Sequence, residues 1–193
     1  MKNTNKKILI IIQRSNGDVF LSSPLISTLF AHYKSPEIDL LINEDTSSIA
    51  ELLPYVNDIH LFSYKEKKEN RWKQEKNLIL KIYKKYDLSI NLTSSDRSVF
   101  YALLAGKLTI SAIEKNILKS FWKKFALTKC YYFDSSKHIL ENNLQALNLL
   151  EIEYKQKQYD ININAQVLES MKQKLKLSKV DEFFVFHAST QYQ

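Results

Sequence analysis

Short apolar runs alternating with helical periodicity set the strongest limit on what this chain can fold into. Lys7 to Ile12 (KILIII) is an apolar run bounded by polar residues, the pattern of a strand covered on both faces in a parallel sheet. Leu21, Leu25, Leu29 and Phe30 then recur at helical spacing, and Ile38 to Ile42 (IDLLI) returns to strand character after the Ser35-Pro36 breaker. The alternation continues with Ser47 to Leu53 as a helix stopped by Pro54, Ile59 to Phe62 as a strand, a long helix within Asn70 to Tyr86, and Leu88 to Leu92 as a strand. Ser98 to Leu104 and Leu108 to Ser111 repeat the unit. Glu114 to Leu127, Lys137 to Leu150 and Asn164 to Leu177 have helical spacing, the last with Asn164 as its N-cap.

Right-handed crossovers place interleaved helices on both faces of such strands, so an α/β, Rossmann-like doubly wound parallel sheet is expected. A further strand pattern, Phe183 to Phe186 (FFVF), is followed by His187-Ala188-Ser189-Thr190 and little else. The expected organisation is one domain over residues 1–178 and the first strand and turn of another over 179–193.

With 193 residues, 45% of them hydrophobic, the chain can bury one core and the start of a second. The Ile8 to Ile12 run is far shorter than the roughly 18 residues that span a membrane, and too short for the core of a signal peptide. The single cysteine, Cys130, cannot form an internal disulfide, which fits a reduced compartment. A cytoplasmic location is expected. Net charge is +7, which favours anionic partners such as phosphorylated sugars, lipid head groups or nucleic acid. The basic residues are spread over several elements without a recognised nucleic-acid motif, so nucleic acid ranks last. The four histidines lack ligand spacing and no Asp-x-Asp pair occurs; neither a metal nor a cofactor is expected.

Gln13-Arg14-Ser15-Asn16-Gly17-Asp18 falls at the carboxyl end of the first strand, where open α/β sheets place their ligands. With only two glycines in the chain, Gly17 is informative, because glycine permits positive φ or a close backbone approach. Asp18 has two readings, a carboxylate that caps the following helix or a catalytic base, and spacing alone does not separate them. Pro24 suits the first turn of a helix starting near Ser23 and would kink one starting at Val19. The turn has neither the three glycines of a dinucleotide fingerprint nor the Gly-Lys-Ser/Thr of a P-loop.

Two further segments carry charge. Lys65 to Lys85 holds seven more cations between its ends, including Arg71, with Trp72 among them. A solvated helix face is the plain reading; recognition of phosphates and acidic sugars, with Arg71 and Arg97 as the contacts, is the functional one. Ile117, Leu118, Phe121, Trp122 and Phe125 form an apolar stripe beside Lys115, Lys119, Lys123 and Lys124. That composition is expected to be a core-facing helix, and it also suits an interfacial helix on an anionic leaflet.

The strand, then Arg14-Ser15-Asn16-Gly17-Asp18-Val19, then Pro24 and Ile38-Asp39-Leu40-Leu41-Ile42, resembles the amino-terminal domain of the family 9 glycosyltransferases, the bacterial lipopolysaccharide heptosyltransferases. Tyr86 to Leu92 with Arg97-Ser98 is similar to that family's fourth strand and basic turn, and Phe184 to Thr190 to the strand and phosphate-binding turn that open its donor domain. The turn before Gly17 is one residue shorter than usual, and Asn91, Thr93 and Ser94 replace a more typical Asp, Gln and Gly. The family's Asp-Thr-Gly-x-x-His donor segment is absent. The resemblance implies the amino-terminal half of a GT-B fold and a metal-independent, inverting transfer of a heptose from an ADP-sugar to the lipopolysaccharide (lipid A) inner core. Asp18 would be the base, with Asn16, Gly17, Arg71 and Arg97 on the acceptor. Ser189 and Thr190 would hold the donor phosphates at a helix amino terminus. Peripheral contact with the inner membrane follows from a lipid-linked acceptor. A truncated enzyme and a noncatalytic acceptor-binding module are both compatible with the missing donor segment.

Overall fold

The computed structural model describes residues 6–155 and 165–176. Six strands, β1 (Lys7–Ile12), β2 (Glu37–Asn43), β3 (Asp58–Phe62), β4 (Tyr86–Asn91), β5 (Gly106–Ile113) and β6 (Lys129–Tyr132), form one sheet in the order β3-β2-β1-β4-β5-β6. Every neighbouring pair is parallel. The helices are α1 (Asn16–Phe20), α2 (Ser23–His32), α3 (Ser47–Ala50), α4 (Tyr64–Ile82), α5 (Asp96–Ala105), α6 (Ile117–Ala126) and α7 (Ile139–Leu149). These elements belong to one compact unit, residues 1–162; a second unit, 163–193, contributes α8 (Ala165–Leu175) to the described residues. The expected boundary at 178/179 and the strand pattern at 183–186 lie outside the described residues.

β1 explains why its sequence is apolar at consecutive positions. Ile8, Ile10 and Ile12 enter one core with Leu25, Leu29 and Leu147, while Leu9 and Ile11 enter another with Leu78, Ile82 and Tyr101. A strand covered by helices on both faces has no solvent side to alternate towards. The sheet order reverses at β1, whose neighbours are β2 and β4. Connections diverge there to opposite faces, leaving a crevice beyond the carboxyl ends of β1 and β4.

Three details differ from the expectation. The first helical segment is two helices: α1 ends at Phe20 and α2 begins at Ser23, with Pro24 in its first turn, where a missing N–H leaves no bond unmade. α4 begins six residues before Asn70, which interrupts it with φ −151° and ψ 73°. Ser63 Oγ caps the first segment through Glu66 N–H (3.3 Å), and Asn70 Oδ1 caps the second through Lys73 N–H (3.2 Å). β6 was not signalled at all, because four residues reading Lys-Cys-Tyr-Tyr carry too little period to announce a strand.

The two glycines have different roles. A Cβ on Gly106 would lie 2.6 Å from Ser89 Oγ and 2.8 Å from Ser89 N, so neighbouring strands approach there at a distance only glycine allows. Gly17 has neither a positive φ nor any atom within 4 Å of a Cβ position. Its expected conformational need is therefore not met; it sits in the helical backbone of α1, facing open space.

Candidate active site

The turn after β1 builds a fixed carboxylate. Ser15 is the N-cap of α1 and Asp18 its N3 residue, the return arm of a capping box. Asp18 Oδ2 accepts from Ser15 N–H (3.2 Å), from Ser15 Oγ–H (2.9 Å) and from Arg14 Nε–H (3.1 Å). Asp18 Oδ1 has no hydrogen bond among the described residues, and the side chain keeps 18% of its surface exposed. The capping reading of Asp18 is met through Oδ2, and Oδ1 is left without a hydrogen-bond partner among the described residues. Arg14 is itself held, its guanidinium 4.7 Å from the centre of the Phe133 ring and its carbonyl accepting from Asn43 Nδ2 (3.3 Å).

The turn after β4 lies beside the turn after β1. Gln13 N–H donates to Thr93 Oγ1 (2.9 Å), and Gln13 Oε1 accepts from Arg97 Nε–H (3.4 Å), which ties the two switch-point turns together. Asn91 organises the second turn from within. Its Nδ2 donates to Ser111 Oγ (2.8 Å) and to Thr93 O, and its Oδ1 accepts from Thr93 N–H (3.0 Å). An amide supplies both donors and an acceptor here, which the Asp more typical of this position could not. Arg97 stacks 3.8 Å from the Phe62 ring centre, and its Nη2 reaches Tyr64 Oη at 3.4 Å. Phe62, Tyr64 and Phe133 were not expected here; Phe62 and Tyr64 are distant in sequence from Arg97, and Phe133 from Arg14, and only the sheet topology assembles them. Two buried amide atoms, Gln13 Nε2 and Asn43 Oδ1, are unpaired at the ends of β1 and β2. Buried polar atoms of this kind call for a partner such as water or a ligand; Ser27 Oγ on α2 is a third.

Asn16 and Gly17 lie in the exposed first turn of α1 beside Asp18. Arg71 is exposed on α4, where its charge acts with that of Arg97 on Tyr101, and no direct bond joins it to Asp18 or Arg97. The rest of the Lys65 to Lys85 segment is largely a solvated helix face. Ser189 and Thr190 lie outside the described residues. Cys130 is a free, half-buried thiol whose pKa is pushed up by burial.

The expectation for α6 is reversed. Its apolar residues point outward: Ile117, Leu118, Phe121 and Phe125 are 70%, 84%, 55% and 87% exposed, and only Trp122 packs partly inward, stacked on Phe100. Lys123, expected on the polar face, has no exposed surface. Its Nζ donates to Ser94 O (2.6 Å) and pairs with Glu114 Oε2 (2.7 Å) and Asp96 Oδ1 (2.8 Å). The carboxylates come from the first residue of α5 and the residue after β5, and a buried ammonium requires such partners. Lys123 therefore anchors the turn that carries Arg97.

No family model matches the chain. Two curated relatives, each named lipopolysaccharide heptosyltransferase 3, are similar in sequence. The one from Escherichia coli is 28% identical over 177 residues, covering 89% of this chain and 51% of its own length. The one from Escherichia coli strain K12 is 31% identical over 144 residues, covering 72% and 41%. The chain thus spans about half the length of the curated relatives it matches. Among solved structures, glycosyl transferase family 9 from Veillonella parvula DSM 2008 superposes with a TM-score of 0.75 at 19% identity, covering 94% of this chain and 52% of that one. Escherichia coli heptosyltransferase WaaC with ADP-2-deoxy-2-fluoro heptose superposes with 0.65 at 16% identity, covering 79% and 50%. By sequence the chain is similar to lipopolysaccharide heptosyltransferases and by fold to glycosyltransferase family 9, the family its strand and turn motifs resemble.

Proposed function

We propose that this chain is the acceptor-side half of a heptosyltransferase-type glycosyltransferase, moving a sugar from an ADP-sugar to a hydroxyl of the lipopolysaccharide inner core with inversion and without a metal. The observation that carries this reading is the division of labour in the Asp18 carboxylate, Oδ2 held by three donors and Oδ1 free, at the switch-point crevice. In the reaction the acceptor O–H gives its proton to Asp18 Oδ1 while its oxygen bonds to the anomeric carbon. The bond from that carbon to the diphosphate oxygen breaks on the opposite face, and ADP departs. Arg14 and Ser15 keep the carboxylate oriented, so its free oxygen is positioned before the acceptor arrives. Arg97, immobilised on Phe62 and Tyr64, suits a phosphate or acidic sugar of the acceptor. Membrane contact and a cytoplasmic location belong to the same proposal, since a lipid-linked acceptor is met at a membrane surface.

The test has two arms. The chain alone, titrated calorimetrically with a deacylated inner-core oligosaccharide, is expected to bind it. Joined to the donor half of lipopolysaccharide heptosyltransferase 3, it is expected to release ADP from ADP-heptose and extend the acceptor by one sugar of inverted configuration, undiminished by EDTA. Absence of acceptor binding, or retention of configuration, overturns the reading.

A further inference from the structure

The orientation of α6 (Ile117–Ala126) is inside out for a helix of a globular domain, with its lysine within and its phenylalanines without. Lys123 fixes that orientation: rolling the helix to bury Phe121 and Phe125 would pull the ammonium from Glu114, Asp96 and Ser94 O. The exposed apolar face is thus held outward by the strongest polar cluster near it. Ile117, Leu118, Phe121 and Phe125 form a contiguous stripe at helical spacing, larger than the single exposed apolar residues that need no explanation. Lys119 and Lys124 stand on the same helix outside the core, and Lys115 precedes it, paired with Asp134 (3.1 Å).

We infer that this face of α6 docks on an anionic lipid surface, the phenylalanines and leucine entering the head-group boundary and the lysines meeting lipid phosphates. Charge complementarity selects this occupant: aromatic and aliphatic residues flanked by exposed Lys124, which lies against Tyr132, with Lys119 further round the helix, are the composition of an interfacial helix, and cations close to an anionic leaflet are attracted within a screening length. Position agrees. α6 starts four residues beyond the end of β5, at the edge of the sheet where the β1 and β4 turns open, and Lys123 links it directly to the turn bearing Arg97. The inference rests on the proposed lipid-linked acceptor, because such an acceptor gives the docking its purpose.

The experiment is flotation of the full chain with vesicles of phosphatidylethanolamine and phosphatidylglycerol, and with vesicles of phosphatidylcholine alone. Binding to the anionic vesicles is expected, falling with added salt and weak on phosphatidylcholine. Phe121→Ser with Phe125→Ser is expected to lower the lipid partition coefficient by at least about tenfold, and Lys119→Glu with Lys124→Glu to abolish the preference for anionic lipid. Circular dichroism melts establish that the variants fold, which the exposure of these side chains favours. No flotation, or flotation indifferent to both variants, overturns the inference. A dimer in sedimentation velocity that Phe121→Ser with Phe125→Ser dissociates also overturns it, assigning the face to a second copy. Flotation needs no sugar, so a chain that binds vesicles but not the oligosaccharide refutes the glycosyltransferase reading and leaves the docking face standing.

Discussion

Replacing Lys123 by methionine isolates the ion cluster that holds the β4 turn. Methionine keeps most of the buried stem and removes the ammonium, leaving Ser94 O without its partner at 2.6 Å and the carboxylates of Glu114 and Asp96 without their counter-charge. Breaking a buried pair from one side costs about 3–5 kcal/mol when both groups are enclosed. Here Asp96 keeps 66% of its side-chain surface in water and Glu114 30%, so both can partly rehydrate. The orphaned carbonyl adds about 1–3 kcal/mol, and a net loss of roughly 2–3 kcal/mol follows from these terms. For a domain of this size that lowers Tm by about 4–12 °C. The assay is thermal unfolding by circular dichroism, with Glu114→Gln and Asp96→Asn completing double-mutant cycles. Coupling to Lys123 is expected to be larger for Glu114 than for the more exposed Asp96. Hydrogen exchange at the Ser95 to Arg97 amides is expected to accelerate in Lys123→Met. An unchanged Tm with unchanged exchange in that turn would refute the anchoring role.

Other perturbations test other parts of the account. Gly106→Ala places a methyl at 2.6–2.8 Å from Ser89 and is expected to destabilise by about 1–3 kcal/mol, read as a lower urea midpoint. His60 is buried, its Nε2 bonded to Tyr86 Oη (2.8 Å), and burial lowers its pKa from 6.5 despite Asp58 and Asp39 nearby, with Lys81 and Lys85 acting in the same direction as burial. Because Tyr86 Oη–H donates to Asp39 Oδ2 (2.7 Å), His60 Nε2 is the donor to Tyr86, and it is burial that favours the neutral ring. The unfolded chain takes up the proton first, so stability is expected to fall as pH drops from about 6.5 towards the lower folded value, a dependence that His60→Gln removes in melts across that range. Arg97→Glu is expected to weaken acceptor oligosaccharide binding by at least tenfold, about 1.4 kcal/mol, and Arg71→Glu by less, since only Arg97 is fixed against the crevice.

Much of the sheet was legible because its strands are buried on both faces: KILIII, IDLLI and LSINL have no other use in a chain this polar. The turn holding Asp18 could be located as the carboxyl end of the first strand, whereas the strand order that brings the β1 and β4 turns side by side comes from the structure. Pro24 was ambiguous only while one helix was assumed; two helices accommodate both Asp18 and the proline. The orientation of α6 was not legible. Lysines at 119, 123 and 124 read as one solvated face, and nothing local says that Glu114 and the distant Asp96 will enclose one of them. Arg97 was named from its place in a basic turn, but its platform of Phe62 and Tyr64 comes from a strand and helix three positions away in the sheet. Asp18 was found by position, and only coordinates separate its capping oxygen from its free one.

Asp18→Asn tests the central claim most directly. An asparagine oxygen can still accept from Ser15 N–H but loses the charge pair with Arg14 at the helix start, so the variant is expected to fold, with a loss of about 0.3–1 kcal/mol, and to bind the acceptor oligosaccharide unchanged. Joined to the donor half, it is expected to transfer heptose about 10²–10⁴ times more slowly, the contribution of a positioned general base. Transfer at the wild-type rate by a folded Asp18→Asn protein would contradict the account.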